Sequence, residues 1–309
     1  MRKIAIYDSF TEPKHRRLID ETAARAGFTV DYYAAPAAVP ADKRGDYEVI
    51  YGMPKPGELK DFVNLKWFCG SFAGVDAYLD DSLYPSPEVM LSNSSGAYGV
   101  TIAEHMVMVT LMLLRHAPAY CADQAAGRWG RVLPMRSIMG STITVVGTGD
   151  IGTSFARRVK AMGAKTVAGV SRSGRHVDDA YDAMYTTAQL DQVLPETEIL
   201  AMALPGTAET EGILSRSRIA LLPKEAVVVN VGRGTAVDQD ALMEALNAGR
   251  LAGAALDVVR PEPLPPEHPL WNTKNLLLTP HLSGFMSLGI TRDTAVALFC
   301  EDFENYIAG

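Results

Sequence analysis

The stretch TITVVGTGDIG, residues 142–152, decides the fold. Its first five residues are rich in β-branched side chains and read as a strand. Three glycines follow at GxGxxG spacing, and residues 151–162 read as a helix. Each glycine has a separate task. Gly147 permits the tight turn, Gly149 lets the backbone approach a pyrophosphate, and Gly152 lets the helix pack close to the strand. The helix start offers free N–H groups and a partial positive charge to phosphate oxygens. Gly147, Thr148, Gly149, Asp150, Ile151 and Gly152 are therefore the expected cradle of a dinucleotide. The glycine spacing alone is weak evidence; the strand before it and the helix after it give it weight.

Outward from this turn the pattern repeats. Strands are expected at 166–170, 198–203, 226–231, 252–257 and 276–278. On the N-terminal side, strands are expected at 3–7, 28–33, 48–51 and 67–69, with a helix over 14–26 ended by Gly27. A long helix is expected over 99–116 and a last one over 287–307. Alternation of this kind predicts α/β architecture, with parallel sheets covered by helices. The proline-rich segment 261–269 reads as a rigid loop. No repeat or low-complexity segment is visible.

With 309 residues, the chain is long enough for two domains of about 150 residues each. A net charge of -7 without any long basic run argues against a nucleic-acid or lipid surface. Cys69, Cys121 and Cys300 are odd in number and widely spaced, so neither a disulfide framework nor a metal site is expected. The N-terminus reads as a first strand and not as a signal peptide, and the apolar run 101–114 carries Glu104 and His105, so it reads as a buried helix. Met106, Met108 and Met112 lie at helical spacing, as core or interface residues do. The expected location is the cytoplasm.

A second nucleotide feature lies at the end of the strand after the glycine turn. NAD-binding folds usually place an acid there to hold the ribose hydroxyls. Here the stretch is Ser171-Arg172-Ser173-Gly174-Arg175, and no carboxylate appears before Asp178. An arginine between two serines suits a 2′-phosphate, so NADP(H) is the expected cofactor, with NAD(H) as the alternative.

Three short segments hold an arginine, a carboxylate and a histidine: VNVGRG at 229–234, PEP at 261–263 and TPHLSG at 279–284. Hydride addition to a 2-oxo acid needs such a set. A cation binds the carboxylate and polarises the carbonyl. An acid protonates the oxygen. A third group keeps that acid charged and oriented. Taken singly, each residue could as well be a surface or loop residue.

These segments, in this order and with Ala255-Leu256-Asp257-Val258 between them, resemble the D-isomer-specific 2-hydroxyacid dehydrogenase family. The GSFAGVD stretch at 70–76 resembles it too, so the likeness covers nearly the whole chain. The short form and the Ser-Arg-Ser loop resemble most the NADPH-dependent glyoxylate/hydroxypyruvate reductases. The resemblance implies two Rossmann-like parallel-sheet domains with the active site in the cleft between them. Residues 99–283 would form the dinucleotide-binding domain, and 1–98 with 284–309 the substrate domain. It implies that Arg233 binds the substrate, that His281 donates the proton, and that Glu262 pairs with His281. Ala73 and Gly74 would hold the substrate carboxylate through backbone N–H groups, while Met53, Pro54 and Phe72 shape the pocket. Leu204, Pro205, Thr207 and Thr210 would approach the cofactor, as would Val231, Gly232, Asp257, Ser283 and Gly284. The implied partners are a small 2-oxo or 2-hydroxy acid and a second copy of the chain, paired through the dinucleotide-binding domain. Two alternatives stand beside this: a nucleotide-sensing corepressor of the same fold, and a dehydrogenase for another 2-hydroxy acid. His15, His116, His176 and His268 read as structural, and His105 as packed or at an interface.

Overall fold

The computed structural model describes residues 2–34 and 39–309. The first part of the chain forms β1 (Arg2–Tyr7), α1 (Pro13–Arg25), β2 (Phe28–Tyr33), β3 (Tyr47–Gly52), β4 (Trp67–Gly70) and β5 (Met90–Asn93). Then come α2 (Gly99–Leu114), α3 (Ala117–Ala125), β6 (Thr142–Val146), α4 (Asp150–Ala161), β7 (Thr166–Ser171) and β8 (Ala183–Thr186). These are followed by α5 (Leu190–Val193), β9 (Ile199–Met202), α6 (Arg216–Leu221), β10 (Val227–Asn230) and α7 (Gln239–Asn247). Finally come β11 (Gly253–Leu256), β12 (Leu276–Leu278) and α8 (Gly289–Ala308). Backbone packing divides the chain into two compact units: Met1–Tyr98 with Phe285–Gly309, and Gly99–Gly284.

The first unit is built on a five-stranded sheet in the order β2-β1-β3-β4-β5, every pair parallel. Side chains alternate across a strand, and β1 shows it. Ile4 and Ile6 join a cluster with Tyr51, Trp67 and, from α8, Val296, Phe299 and Phe303. Ala5 and Tyr7 join the opposite cluster with Tyr47, Phe62 and Phe68. Both faces are covered, which is why β3 (YEVIYG) is buried along its whole length. The Trp67 ring stacks on Phe299 at 5.6 Å, so the last helix completes the core of the first strands.

The second unit carries seven parallel strands in the order β12-β11-β10-β9-β6-β7-β8. The order reverses between β6 and β9. In open parallel sheets, ligands bind beyond the carboxyl ends of the strands at such a reversal. The 142–152 turn leaves β6 at that point. On one face, Val146, Leu200, Val228 and Leu256 pack with Leu242 and Leu246 of α7. α2 lies against β10, β11 and α4.

Several boundaries differ from the sequence expectation. The helix expected over 99–116 stops at Leu114, because His116 turns into the left-handed region at φ 56° and Pro118 lies in the first turn of a new helix. The edge strands β5 and β8 carry apolar runs of only two or three residues and were not expected; their side chains are mostly half-buried. Met106 is a core residue, whereas Met108 is exposed. Among the described residues, no single helix is long and apolar enough to cross a membrane. The three cysteines are free.

Candidate active site

The glycine turn has the geometry its sequence predicts. Gly147 adopts φ 97°, and a Cβ there would lie 2.5 Å from the Ala203 carbonyl oxygen. A Cβ on Gly152 would lie 1.9 Å from the Gly147 carbonyl oxygen, so α4 can sit this close only with glycine at that position. A Cβ on Gly149 would meet nothing within 4 Å, so the turn leaves open space at the start of α4. No side chain caps α4. Its first N–H groups and the space at Gly149 fit a pyrophosphate. Thr148 contributes its carbonyl to the Thr153 hydroxyl at 3.1 Å. The Asp150 side chain has a task that sequence did not show: it accepts the N–H of Gly99, joining α2 to α4. Burial raises its carboxyl above the ordinary range, with that hydrogen bond opposing.

At the end of β7, the Ser171 hydroxyl accepts the Gly174 N–H at 3.2 Å, and the Ser173 hydroxyl accepts the Arg175 N–H at 3.3 Å. Arg172 is exposed. Asp178, the first carboxylate after the strand, is held by Arg157, whose Nε lies 3.0 Å from Oδ2. Glu209 lies within the electrostatic reach of Arg172. Its carboxyl is held below the ordinary range, first by the Thr207 hydroxyl and least by Arg172.

The loop after β9 folds on itself. The Thr210 hydroxyl donates to the Pro205 carbonyl at 2.6 Å and accepts the Thr207 N–H at 2.9 Å. Leu204 presses on the neighbouring turn, since a Cβ on Gly232 would lie 2.5 Å from the Leu204 carbonyl oxygen. That turn is tied by buried Asn230, a residue whose role sequence reasoning missed. Its side chain accepts the Gly232 N–H at 3.0 Å and donates to the Arg233 carbonyl at 2.9 Å. Arg233 is half-buried, and its Nη1 donates to the Gly232 carbonyl at 2.7 Å. A Cβ on Gly234 would lie 2.2 Å from the Val259 carbonyl carbon, so this turn packs directly on the backbone that leads to Glu262.

Val259 holds Glu262: its N–H donates to Oε1 at 2.9 Å. The other oxygen, Oε2, lies 2.8 Å from His281 Nδ1. The His281 ring is about half exposed, at 52% of its side-chain surface. His281 itself stands at φ 51°, and its N–H donates to the Asp257 carbonyl at 2.8 Å. Asp257 is 3% exposed. Its carboxylate accepts the Thr279 hydroxyl at 2.6 Å and the N–H groups of Leu282 and Ser283, both at 3.0 Å. Burial alone would raise this carboxyl. Hydrogen bonds from Ser283, Thr279 and Leu282 outweigh burial and hold it below the ordinary carboxylate range. The structure thus brings together Asp257, Glu262, His281 and Ser283, and packs the Arg233 turn on the same backbone.

In the first unit, the turn at Ala73 and Gly74 is fixed by Asn93, whose side chain donates to the Ala73 carbonyl at 2.5 Å. The Phe72 ring lies over Gly70, where a Cβ would meet it at 2.4 Å, and stacks on Tyr78 at 4.7 Å. The Tyr78 hydroxyl donates to the Pro54 carbonyl at 2.6 Å, and Met53 is exposed. Of the histidines read as structural, His15 faces Asp293 at 2.7 Å and His268 accepts the Leu270 N–H at 3.2 Å. His116 meets the Pro134 carbonyl at 2.8 Å.

Known proteins resemble this chain over most of its length. The profile of the family described as D-isomer specific 2-hydroxyacid dehydrogenase, NAD binding domain, matches residues 107–283. A protein named glyoxylate/hydroxypyruvate reductase A, from Klebsiella pneumoniae, is 32% identical over 77% of this chain and 77% of its own. A crystal structure of a D-isomer specific 2-hydroxyacid dehydrogenase family protein from Aeromonas salmonicida superposes with a TM-score of 0.86. The two are 30% identical, over 100% of this chain and 96% of that one. A D-isomer specific 2-hydroxyacid dehydrogenase from Xanthobacter autotrophicus, crystallised with NADPH and MES, gives a TM-score of 0.80 and 31% identity, over 99% and 96% of the two chains. With the glycine turn and the Glu262–His281 pair in place, the chain belongs to the D-isomer specific 2-hydroxyacid dehydrogenase family.

Proposed function

We propose that this protein reduces a small 2-oxo acid of the glyoxylate or hydroxypyruvate class to the D-2-hydroxy acid, using NADPH in preference to NADH. The observation that carries the proposal is the pair formed by His281 Nδ1 and Glu262 Oε2 at 2.8 Å, with Glu262 itself anchored by the Val259 N–H. A carboxylate at Nδ1 accepts a hydrogen bond from that nitrogen's N–H, which leaves Nε2 to carry the proton that is delivered. The cofactor, when bound, supplies the hydride. The glycine turn 147–152 and the loops at 171–173 and 204–210 are the residues that would hold it, with Val231, Gly232, Asp257, Ser283 and Gly284 nearer the reacting end. Arg233 binds the substrate carboxylate and polarises the carbonyl as negative charge grows on oxygen. His281 protonates that oxygen. Backbone N–H groups at Ala73 and Gly74 hold the carboxylate.

In this reading, residues 99–283 are the dinucleotide-binding domain and 1–98 with 284–309 the substrate domain. The preference for NADPH rests on Arg172 between two serines, without a carboxylate at the end of β7. A relative carrying the name glyoxylate/hydroxypyruvate reductase and a similar structure holding NADPH support the same choice. The pairing of two copies through the dinucleotide-binding domain is supported by the exposed Trp129, Leu133, Met135 and Met139 between α3 and β6. The test is a reductase assay of the purified protein with glyoxylate, hydroxypyruvate, pyruvate and phenylpyruvate, each with NADPH and NADH. The expected result is fastest turnover of one of the first two acids with NADPH. Equal inactivity on all four overturns the reading.

A further inference from the structure

A half-buried polar side chain can serve a site from outside it through a hydrogen-bonded neighbour. His105 is one. It lies on α2, partly buried, 174 residues before Thr279 in sequence, yet its Nε2 is 3.3 Å from the Thr279 hydroxyl oxygen. That hydroxyl lies 2.6 Å from Asp257 Oδ1.

We propose that His105 is a positioning residue for the His281 loop, acting through the chain His105 Nε2–H to Thr279 Oγ1 to Asp257. The direction of the chain follows from proton bookkeeping. Asp257 carries no proton, so the single hydroxyl proton of Thr279 points to it. The Thr279 oxygen is left as an acceptor, and only a protonated Nε2 of His105 can fill it. Burial lowers the tendency of His105 to take a second proton, with Asp257 opposing, and the contact with Thr279 then calls for the ring's one proton on Nε2. The carboxylate so fixed gathers the chain on the far side of His281, through the N–H groups of Leu282 and Ser283. Its own carbonyl takes the His281 N–H at 2.8 Å. His281 stands in the left-handed region, so its ring direction depends on these ties. Loss of the His105 donor frees the Thr279 hydroxyl to rotate, and the carboxylate loses its fixed aim.

The inference rests on the proposed reduction for its kinetic reading, and a second measurement frees it from that dependence. Steady-state kinetics are compared for the unmodified protein, His105→Leu, His105→Gln and Thr279→Val. His105→Leu is expected to lower kcat about 5- to 30-fold, the worth of one partly buried hydrogen bond, with KM for substrate and cofactor nearly unchanged. His105→Gln, whose amide N–H can take the place of Nε2–H, restores most of it. The double variant His105→Leu/Thr279→Val is no slower than Thr279→Val alone, because both break one chain. Nitrogen NMR of the histidine rings supplies the measurement independent of turnover. It should show His105 as the neutral Nε2–H form, and Thr279→Val should shift that signal. Unchanged kcat in His105→Leu, no rescue by glutamine, or His105 found as the Nδ1–H form overturns the proposal. If the unmodified protein reduces none of the four acids, the functional reading fails, and the ring spectra alone decide on the chain.

Discussion

Glu262 is engaged from two sides: Oε1 takes the Val259 N–H at 2.9 Å, and Oε2 faces His281 Nδ1 at 2.8 Å. The carboxylate is therefore held by the backbone as well as by the histidine, and the ring is aimed by a partner that is itself anchored.

The first prediction concerns His281, and its backbone chooses the substitution. At φ 51°, asparagine is accommodated at little cost, while alanine adds strain of about 1 kcal/mol. His281→Asn should keep the fold and the cofactor affinity and lower turnover by about 10²- to 10⁴-fold, the range for a positioned acid. Steady-state kinetics with a cofactor titration check it. Turnover near that of the unmodified protein would remove His281 from its role.

Arg233→Lys keeps the charge but loses the planar fork. The turn that carries it is tied by Asn230 and packed on Val259, so the backbone should stay in place. The expected result is a loss of about 10- to 150-fold in kcat/KM for the 2-oxo acid, the worth of a hydrogen bond to a charged group. Unchanged kinetics with the best substrate would mean that another cation binds it.

The third prediction separates the two cofactors. Arg172→Ala should weaken NADPH binding about 10- to 150-fold and leave NADH nearly as before. Ser171 and Ser173 already accept backbone N–H groups of their own loop, which holds that loop in shape around the arginine. Fluorescence titration with each cofactor decides it, and an equal loss for both would assign Arg172 to general phosphate attraction.

The fourth concerns stability. Arg2, through its hydrogen bonds, holds the Glu48 carboxyl down at about 2, with Tyr306 and Lys66 adding to it against the effect of burial. The Glu48 side chain is only 12% exposed. A carboxyl lowered on folding stabilises the fold above its unfolded value, 4.5, and that contribution is lost as pH falls toward 2. Glu48→Gln should cost about 2–3 kcal/mol at neutral pH, from the size of the shift. The gap to the unmodified protein should close as pH falls from 4.5 to about 2. Urea titrations at pH 7 and at pH 3 check it; a gap that does not depend on pH would show that the ion pair is not its source.

Central strands were legible in the sequence because burial on both faces leaves a continuous apolar run, as in VVVN of β10. The edge strands MLSN and AMYT have one neighbour each and are largely half-buried, so their composition carries no such mark. The glycine turn was legible because the backbone conformation of Gly147 and the contact at Gly152 exclude side chains. Glu262 and His281 were legible through their short motifs. Asn230, Val259 and the His105–Thr279 contact were not. Asn230 and Val259 act through hydrogen bonds to partners two or three residues away, which the conformation of the turn decides, and the His105–Thr279 contact joins residues 174 apart, which leaves no local pattern.

The return of α8 to the first sheet has a consequence for synthesis. Tyr51 and Trp67 leave the ribosome early, yet the rings that stack on them, Phe299 and Phe303, follow only after the whole Gly99–Gly284 unit. The Gly99–Gly284 unit holds all its own strands and can close while the chain is still growing. The sheet made first must wait with one face covered only in part, by Ile19 and Ala23 of α1, and that open face needs protection from aggregation.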